Sequence, residues 1–295
     1  MKVKVWGCRG SLAVPGADTV RYGGNTSCVE VRGSGGEVLV LDAGTGMRPL
    51  GLELAAQEVR TIHVLLSHLH LDHLQGLGFF RPLFDSGNDI HIWGPASPVQ
   101  SLEERIATYL SPPLFPVRLA ADIPATVTFH DAPEEAVEIG GLSVRASPVT
   151  HQGPTVGYRV EEGNRSVVYL PDHEPGLGVD VALQPADWLS GYDLANRADV
   201  LLHDAQYGDD EYPGHVGWGH SAIGHVVAFA QKAAVDNLVL FHHDPAHTDD
   251  EMEALVDEAQ RLWGEGGHCV CSAWDGMQID LEPAAVTLSS VPPRP

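Results

Sequence analysis

The sequence predicts an α/β domain in which strands and helices form layers. Runs typical of strands are followed by helical stretches in both halves of the chain. His and Asp residues repeatedly follow the apolar runs directly, which is where ligand-binding residues lie in layered α/β folds. No linker interrupts the 295 residues. We therefore expect a single domain over residues 1–295, a length that is common for one α/β domain.

The elements follow from apolar runs separated by Gly, Pro and Asn. The predicted strands are Lys2–Trp6, Cys28–Arg32, Val38–Leu41, Ile62–Leu66, Ile90–Trp93, Thr126–His130, Leu142–Ser147, Thr155–Val160, Ser166–Leu170, Val200–Leu202, Asn237–Phe241 and Cys269–Ser272. The predicted helices are Pro49–Val59, Pro98–Tyr109, Ser221–Val235 and Asp249–Trp263. Residues after 272 are expected to form a Pro-rich tail.

A metal-binding motif follows the strand at residues 62–66. It places His68, His70, Asp72 and His73 within six residues. Ligands two apart on an extended segment face the same side, so His68 and His70 can share one ion. Asp72 and His73 begin the next turn and can face a second ion about 3.5–4 Å away. Imidazole and carboxylate suit zinc, and also manganese or iron.

Two simpler interpretations of this motif are a chance polar run in a loop and a single structural zinc. A closed structural zinc site would more often use cysteine, and no Cys lies near these residues. The motif therefore favours two divalent metal ions, zinc before manganese or iron.

The net charge limits the kinds of molecule that the protein can bind. With 17 Lys and Arg against 40 Asp and Glu, the formal charge is −23. Two divalent ions would offset only about four of these charges. Such a field opposes the approach of a polyanion such as RNA, although a small anion drawn to a local metal centre is compatible with it. We therefore expect a small substrate and no nucleic acid polymer.

The cysteines and the N-terminus indicate a cytoplasmic protein. Cys8, Cys28, Cys269 and Cys271 have no zinc-ribbon or CxxC spacing, which favours buried thiols over a disulfide. The first ten residues predict a strand and a turn and not a signal peptide, and no apolar run approaches about 18 residues. No membrane association is expected.

Two further segments have open interpretations. Asp42 ends a predicted strand and could either orient a metal-binding His or cap the helix that follows. Residues 111–117, SPPLFPV, are too Pro-rich for a core element and too apolar for an ordinary exposed loop. We expect this segment, within a region of about residues 81–125, to form a lid over the site or a dimer contact. It could instead be a passive connector.

Three more strand ends deliver candidate ligands, namely His151, Asp204 and His242. The hairpin before Asp204 closes with Pro171-Asp172-His173-Glu174, where His173 could line the rim of the cleft. The order of His-x-His-x-Asp-His followed by His, Asp and His resembles the metallo-β-lactamase superfamily, and Leu41-Asp42-Ala43-Gly44 is similar to its first motif. The resemblance spans essentially the whole chain. It implies an αββα sandwich of two mixed sheets flanked by helices.

The same resemblance implies a ligand set. The first metal would be held by His68, His70 and His151, and the second by Asp72, His73 and His242. Asp204 would bridge the two ions. His243 competes with His242, which we prefer because it directly follows the apolar strand, as the family's His does.

Within this superfamily, the chain resembles ribonuclease Z and related phosphodiesterases. Gly219-His220-Ser221-Ala222 is similar to that group's His-Ser-Thr motif, which implies that His220 contacts the phosphate and serves as a general acid. Ala222 departs from the motif's Thr, a change that need not disturb the imidazole. The segments WGCRGS, YGGNTSC and SPPLFPV resemble the phosphodiesterase-type members. Asn25, Thr26 and Ser27 of the second segment are candidates for substrate binding, although a turn between strands explains them equally well.

These residues define a first hypothesis for function. The resemblance implies a dinuclear phosphodiesterase that uses a metal-bound hydroxide, with Asp72 and His220 as catalytic residues, a cyclic nucleotide as substrate and a homodimer as the assembly. A ribonuclease Z-like endonuclease acting on tRNA precursors is the runner-up. Only 52 residues separate His151 from Asp204, which leaves little room for that family's RNA-binding arm. The same ligands would also suit a thioester or lactam hydrolase, or a non-catalytic metal-binding sensor.

Overall fold

A computed structural model describes residues 1–264, 269–289 and 292. The strands are β1 Lys2–Gly7, β2 Cys28–Arg32, β3 Val38–Leu41, β4 Thr61–Leu65, β5 Asp89–Gly94, β6 Thr126–Asp131, β7 Val137–Ile139, β8 Leu142–Pro148, β9 Val156–Glu162, β10 Arg165–Leu170, β11 Val200–Asp204, β12 Asn237–Phe241, β13 Cys269–Ser272, β14 Gln278–Leu281 and β15 Val286–Leu288. The α-helices are α1 Met47–Ala56, α2 Leu102–Tyr109, α3 Leu119–Asp122, α4 Tyr192–Ala195, α5 Ile223–Lys232 and α6 Asp249–Trp263.

These strands form two mixed sheets. One has the order β15-β14-β1-β2-β3-β4-β5-β6 and the other β13-β12-β11-β10-β9-β8-β7. Strands β3 to β6 are parallel in the first sheet, and β10 to β13 are parallel in the second. Parallel neighbours end at the same edge of a sheet, so the loops after β4, β10, β11 and β12 can converge there.

The sheets pack face to face, and helices cover their outer faces. Leu41 of the first sheet and Tyr158 and Phe241 of the second belong to one buried cluster between the sheets. A second cluster joins the first sheet to α1 and α2, and a third joins the second sheet to α5. This helix–sheet–sheet–helix arrangement confirms the predicted αββα sandwich.

Side-chain hydrogen bonds determine where helices α2 and α6 begin. Helix α2 begins at Leu102, later than the predicted Pro98, because Ser101 accepts a hydrogen bond from Glu104 N while the Glu104 carboxylate binds the Ser101 backbone. Thr248 and Glu251 form the same capping box ahead of α6, which has the predicted bounds. Both helices therefore start where a side chain satisfies their free amides.

The predicted Pro-rich tail was wrong for part of its length. Strand β14 pairs antiparallel with β1, and β15 pairs with β14, so residues after 272 extend the first sheet. The strand β7 was also missed, as a three-residue edge strand. Such short pieces carry too little periodicity to be recognised before their pairing partners are known.

The four cysteines are free thiols in the described part of the chain. Burial raises the pKa of Cys8 and of Cys28 well above its usual value, which keeps both thiols protonated. The described helices include none that is long and apolar enough to cross a lipid bilayer.

Candidate metal centre

Donor atoms from four strand ends converge in one cleft. One group consists of His68, His70, His151 and Asp172, each offering a ligand atom within 4.8 Å of the others. A second group, equally compact, consists of Asp72, His73 and His242. The structure thus brings together the six His and Asp residues that the sequence assigned to two ions, and it adds Asp172 to them.

Asp172 lies between the two groups. Its Oδ2 atom is 3.7 Å from His68 Nε2 and 3.6 Å from His151 Nε2. Its Oδ1 atom is 3.0 Å from His73 Nε2 and 3.3 Å from His242 Nε2. Each carboxylate oxygen therefore faces a different group, which is the geometry of a bridging carboxylate.

The prediction that Asp204 occupies this bridging position was wrong, because its carboxylate is already used elsewhere. Asp204 is fully buried and accepts hydrogen bonds from the backbone amides of His173, Gln206 and Ser221, each at 3.1 Å. Its Oδ2 atom also lies 2.6 Å from His220 Nδ1. Asp204 is thus a positioning residue for His220.

The sequence contains a signal for Asp172. Asp172 follows strand β10 by two residues, just as His68 and His242 follow apolar strands. The same segment also fits the close of a hairpin. Because β10 and β11 are parallel neighbours, the sequence offers two carboxylates at adjacent strand ends, and only the backbone geometry distinguishes them.

The residues fit a pair of divalent cations. His68 Nε2 is buried and has no hydrogen-bond partner among the described residues. Buried polar atoms normally have partners, so a lone pair left free beside three other ligand atoms is what a cation site provides. The donor set of imidazole and carboxylate is the one that borderline divalent metals prefer. The His and Asp clusters therefore fit a dinuclear divalent metal site.

The second nitrogen of three of the imidazoles is held outside the cleft. His73 Nδ1 lies 2.7 Å from Asp42 Oδ2, a carboxylate that also accepts the Tyr169 hydroxyl at 2.9 Å. His151 Nδ1 donates to the Gly219 carbonyl at 2.9 Å, and His242 Nδ1 lies 3.0 Å from Gln206 Oε1. These bonds fix the rings with Nε2 toward the cleft.

Asp42 serves as an orienting residue and not as a helix cap. Helix α1 is preceded by Gly46, and its N-terminus has no side-chain cap. Asp42 instead receives Ser67 N at 2.7 Å and Ser67 Oγ at 2.8 Å beside its contact with His73. The residue adopts a φ of +59°, an uncommon conformation for a non-glycine residue that is stabilised here by this network.

The two consecutive histidines after β12 face different ways. His242 Nε2 lies 3.3 Å from Asp72 Oδ2. His243 is buried with its Nε2 at 3.0 Å from Ser272 Oγ and 3.1 Å from the Ala273 carbonyl. A φ of +58° at His242 turns the chain between the two rings. The geometry therefore places His242 in the cleft and His243 in the core.

His220 lies beside the donor groups as a candidate proton donor. Its ring stacks on that of His242 with centroids 5.0 Å apart. Burial disfavours the imidazolium, but the negative charges of Asp204, Asp172 and Asp72 outweigh burial and raise the pKa of His220 to about 9. With Nδ1 held by Asp204, the other ring nitrogen is available to donate to an anion.

The proposed substrate-binding role of Asn25, Thr26 and Ser27 was wrong for at least two of them. Thr26 and Ser27 are fully buried, and Thr26 Oγ1 accepts the Thr45 amide at 2.8 Å. Asn25 Nδ2 donates to Asp275 Oδ2 at 2.9 Å. Asn25 and Thr26 stabilise the loop between β1 and β2 from within, because their polar side chains satisfy neighbouring backbone and side-chain groups.

The SPPLFPV segment packs against the chain that follows the metal motif. Phe115 contacts Phe79 edge to face with ring centroids 5.5 Å apart, and Tyr109 donates its hydroxyl to the Gln75 carbonyl at 2.9 Å. Leu114 remains 69% exposed. The segment is therefore more than a passive connector, and its role as a lid or dimer contact stays a prediction.

Comparison with known proteins places the chain in a family. The family model described as a beta-lactamase superfamily domain matches residues 38–243. A ribonuclease Z from Mycobacterium sp. (strain KMS) is 27% identical over 230 residues, which cover 72% of this chain and 76% of that protein.

Solved structures show the same fold. A diphosphatase of the PhnP family has a TM-score of 0.67 at 20% identity, covering 95% of this chain and 98% of the other. The short form of human tRNase Z has a TM-score of 0.65 at 22% identity, covering 96% of this chain and 100% of the other.

The chain belongs to the beta-lactamase superfamily and has the metallo-β-lactamase fold. Together with its donor set, this membership defines a metal-dependent hydrolase of the phosphodiesterase type.

Proposed function

We propose that this protein hydrolyses a small phosphodiester, a cyclic nucleotide first, at a centre of two divalent ions. The observation that supports this proposal most is the position of Asp172, with one carboxylate oxygen facing each donor group, beside a His220 that can donate a proton. Zinc is the first choice of metal because imidazole dominates the donor set.

Each donor group would hold one ion. His68, His70 and His151 would bind the first and Asp72, His73 and His242 the second, with Asp172 shared. Two such ions supply a Lewis acid for the phosphoryl oxygens and lower the pKa of water toward neutrality. The chain's own contribution is to fix these ligands through Asp42, Gln206 and Gly219 before substrate binds.

Two side chains would handle protons. Burial opposes ionisation of Asp72, but His73 and His242 outweigh burial and hold the pKa of this carboxyl far below its usual range. Its Oδ2 accepts the Ser11 amide at 2.8 Å, which orients the ionised carboxylate to accept a hydrogen bond from the attacking water. His220 would donate a hydrogen bond or a proton to the phosphoryl oxygen or the leaving oxygen.

A small substrate is favoured by the acidic composition of the segment between β10 and β11. The segment 171–199, which connects β10 to β11, contains six acidic residues and a single basic one, Arg197. A surface that binds RNA needs clustered Lys and Arg to pair with phosphates. This segment, which lies between the predicted ligands of the cleft, offers no such cluster.

Processing of tRNA precursors is the second candidate. It is favoured by the curated relatives, since a ribonuclease Z matches 72% of this chain. The dinuclear centre and His220 would serve an RNA phosphodiester equally well. The two candidates differ in how the substrate is held and not in the chemistry of the centre.

A panel of substrates distinguishes the candidates. The metal-loaded protein should be assayed with 3′,5′- and 2′,3′-cyclic nucleotides, a precursor tRNA and a thioester, with chromatographic separation of products. Cleavage of a cyclic nucleotide that is lost in His220→Ala supports the proposal. Cleavage of the tRNA alone supports the second candidate, and cleavage of the thioester alone rejects both.

A further inference from the structure

Three large apolar side chains are exposed at the rim of the metal cleft. Leu12, Leu71 and Trp218 are 57%, 56% and 57% exposed. Leu71 lies between His70 and Asp72 in the chain, and Leu12 follows Ser11, whose amide donates to Asp72 Oδ2. Trp218 precedes Gly219, whose carbonyl accepts His151 Nδ1. Each therefore lies one residue from a residue that belongs to or contacts the donor set.

The loop that carries Trp218 is fixed on both sides of the indole. The amides of Gly217 and Gly219 donate to the Glu174 carboxylate at 2.9 and 2.8 Å. Glu174 is fully buried and also accepts the Tyr212 hydroxyl at 2.6 Å. A buried carboxylate that binds the residues before and after Trp218 holds the backbone in one conformation.

The two glycines have the conformation that this arrangement needs. Gly217 and Gly219 have φ angles of +83° and +87°, a region that side-chain-bearing residues rarely adopt. A Cβ at Gly219 would also lie 2.3 Å from His151 Nδ1. Trp218 thus stands between two residues constrained to be glycine.

Among the described residues the indole has one aromatic neighbour, and more than half of the side chain is exposed. His215 contacts Trp218 at a ring-centroid distance of 5.0 Å and an angle of 84°, and His215 itself stacks on Tyr207. A mobile exposed Trp would lose rotamer freedom on binding a ligand. An indole on a fixed loop with a packed neighbour loses less, so it is prepared to receive a planar group.

We propose that Trp218 stacks on the aromatic base of the substrate and so selects phosphodiesters that carry a nucleobase. This inference rests on the proposed function and deepens it. A phosphate bound at the donor groups would place its sugar and base toward the rim, where Leu12, Leu71 and Trp218 are exposed and Trp218 is the aromatic one of the three. Stacking tolerates any base, because every base has a π face.

A matched pair of substrates tests the proposal. The first is 3′,5′-cyclic AMP, and the second is 1-O-methylribose 3′,5′-cyclic phosphate, which has the same reacting group without a base. Trp218→Ala should lower kcat/KM for the first roughly 5- to 100-fold through KM, the range expected for one stacked base. Trp218→Ala should change kcat/KM for the substrate without a base less than about 3-fold. Trp218→Phe should retain most of the activity toward 3′,5′-cyclic AMP.

Trp188→Ala is the control. Trp188 is 76% exposed as the last residue of the 3₁₀ turn Ala186–Trp188, on another loop, and its substitution should not affect the ratio of kcat/KM for the two substrates. Equal losses on both substrates in Trp218→Ala would overturn the proposal. So would a change in sedimentation of Trp218→Ala with unchanged kinetics, which would assign the indole to contact with a second copy.

A binding measurement separates this proposal from the proposed function. Adenosine should quench the fluorescence of wild-type protein, and the quench should be lost in Trp218→Phe and kept in Trp188→Phe. If wild-type protein hydrolyses none of the phosphodiesters, the proposed function fails, while a quench that depends on Trp218 still supports the stacking site. A quench unchanged in Trp218→Phe would reject it.

Discussion

Asp204 Oδ2 lies 2.6 Å from His220 Nδ1 in a buried hydrogen bond beside the donor groups. Three backbone amides hold the same carboxylate, so its position does not depend on the imidazole. The arrangement fixes the tautomer and direction of His220 and favours its protonated form. We therefore propose that Asp204 acts in proton transfer through His220 and that Asp172 binds metal.

His220→Ala should leave metal binding intact and lower turnover. Because His220 is a candidate acid and belongs to neither of the two main donor groups, its loss should reduce kcat roughly 10²- to 10⁴-fold, the usual range for an acid–base group. Steady-state kinetics and metal analysis by atomic emission on the same sample check both parts. His130→Ala, on β6 in the other sheet, is the control and should behave as wild type. Full activity in His220→Ala would remove this residue from the mechanism.

Gly10→Ala should weaken the binding of one metal ion, because it displaces His242. A Cβ at Gly10 would lie 2.5 Å from His242 Nδ1 and Cε1, closer than side chains tolerate. Mutating a residue that positions a metal ligand typically lowers the metal affinity 10–100-fold, so a loss of about that size is expected. Competition with a chelator measures the affinity.

Gly16→Ala is the matched control for that substitution. Gly16 lies in the same loop, and the nearest atom to its added Cβ is Thr19 Oγ1 at 3.8 Å, an ordinary contact. Its metal affinity should equal that of wild type. If both variants bind metal normally, the close approach of Gly10 to His242 does not constrain the centre.

Strand positions could be predicted from the sequence because β-branched runs and turn residues are local signals. The bounds of β2, β3, β12 and β13 were predicted to the residue. Strands β14 and β15 were not, because β14 follows from pairing with β1 at the opposite end of the chain and β15 from pairing with β14. Strand pairing between the two ends of a chain produces no local hydrophobic periodicity from which it could be predicted.

The metal ligands that directly follow a single strand could be predicted from the sequence. His68 to His73 form a single motif, and their spacing carries the chemistry. The choice between Asp172 and Asp204 required the structure, since both carboxylates follow adjacent parallel strands and differ in which backbone amides surround them. Thr26 likewise exchanges hydrogen bonds with Thr45, a contact between two loops that sequence spacing does not reveal.

Asp275 should make stability depend on pH near neutrality. Burial raises the pKa of Asp275 to about 7, against the opposing effect of its hydrogen bonds from Asn25. Between about pH 4 and pH 7 the folded state therefore binds more protons than the unfolded state, and this residue's contribution to the free energy of unfolding falls as pH rises.

Asp275→Asn should remove that dependence, because an amide accepts the same two hydrogen bonds without ionising. The variant should gain stability over wild type on the order of 1–4 kcal/mol at pH 8, and the gain should disappear at pH 4. Denaturant unfolding at both pH values measures the difference. A difference that is independent of pH would contradict the raised pKa of Asp275.

The most direct test of the account is the metal content of Asp172→Asn beside that of Asp204→Asn, each purified with zinc in excess and analysed by atomic emission. An amide in place of Asp172 loses the negative charge shared by both donor groups, so Asp172→Asn should retain fewer than two ions per chain. Asp204→Asn should retain two while turning over more slowly, since only the orientation of His220 is disturbed. Two ions in Asp172→Asn together with loss of metal in Asp204→Asn would contradict the assignment and return Asp204 to the bridging position.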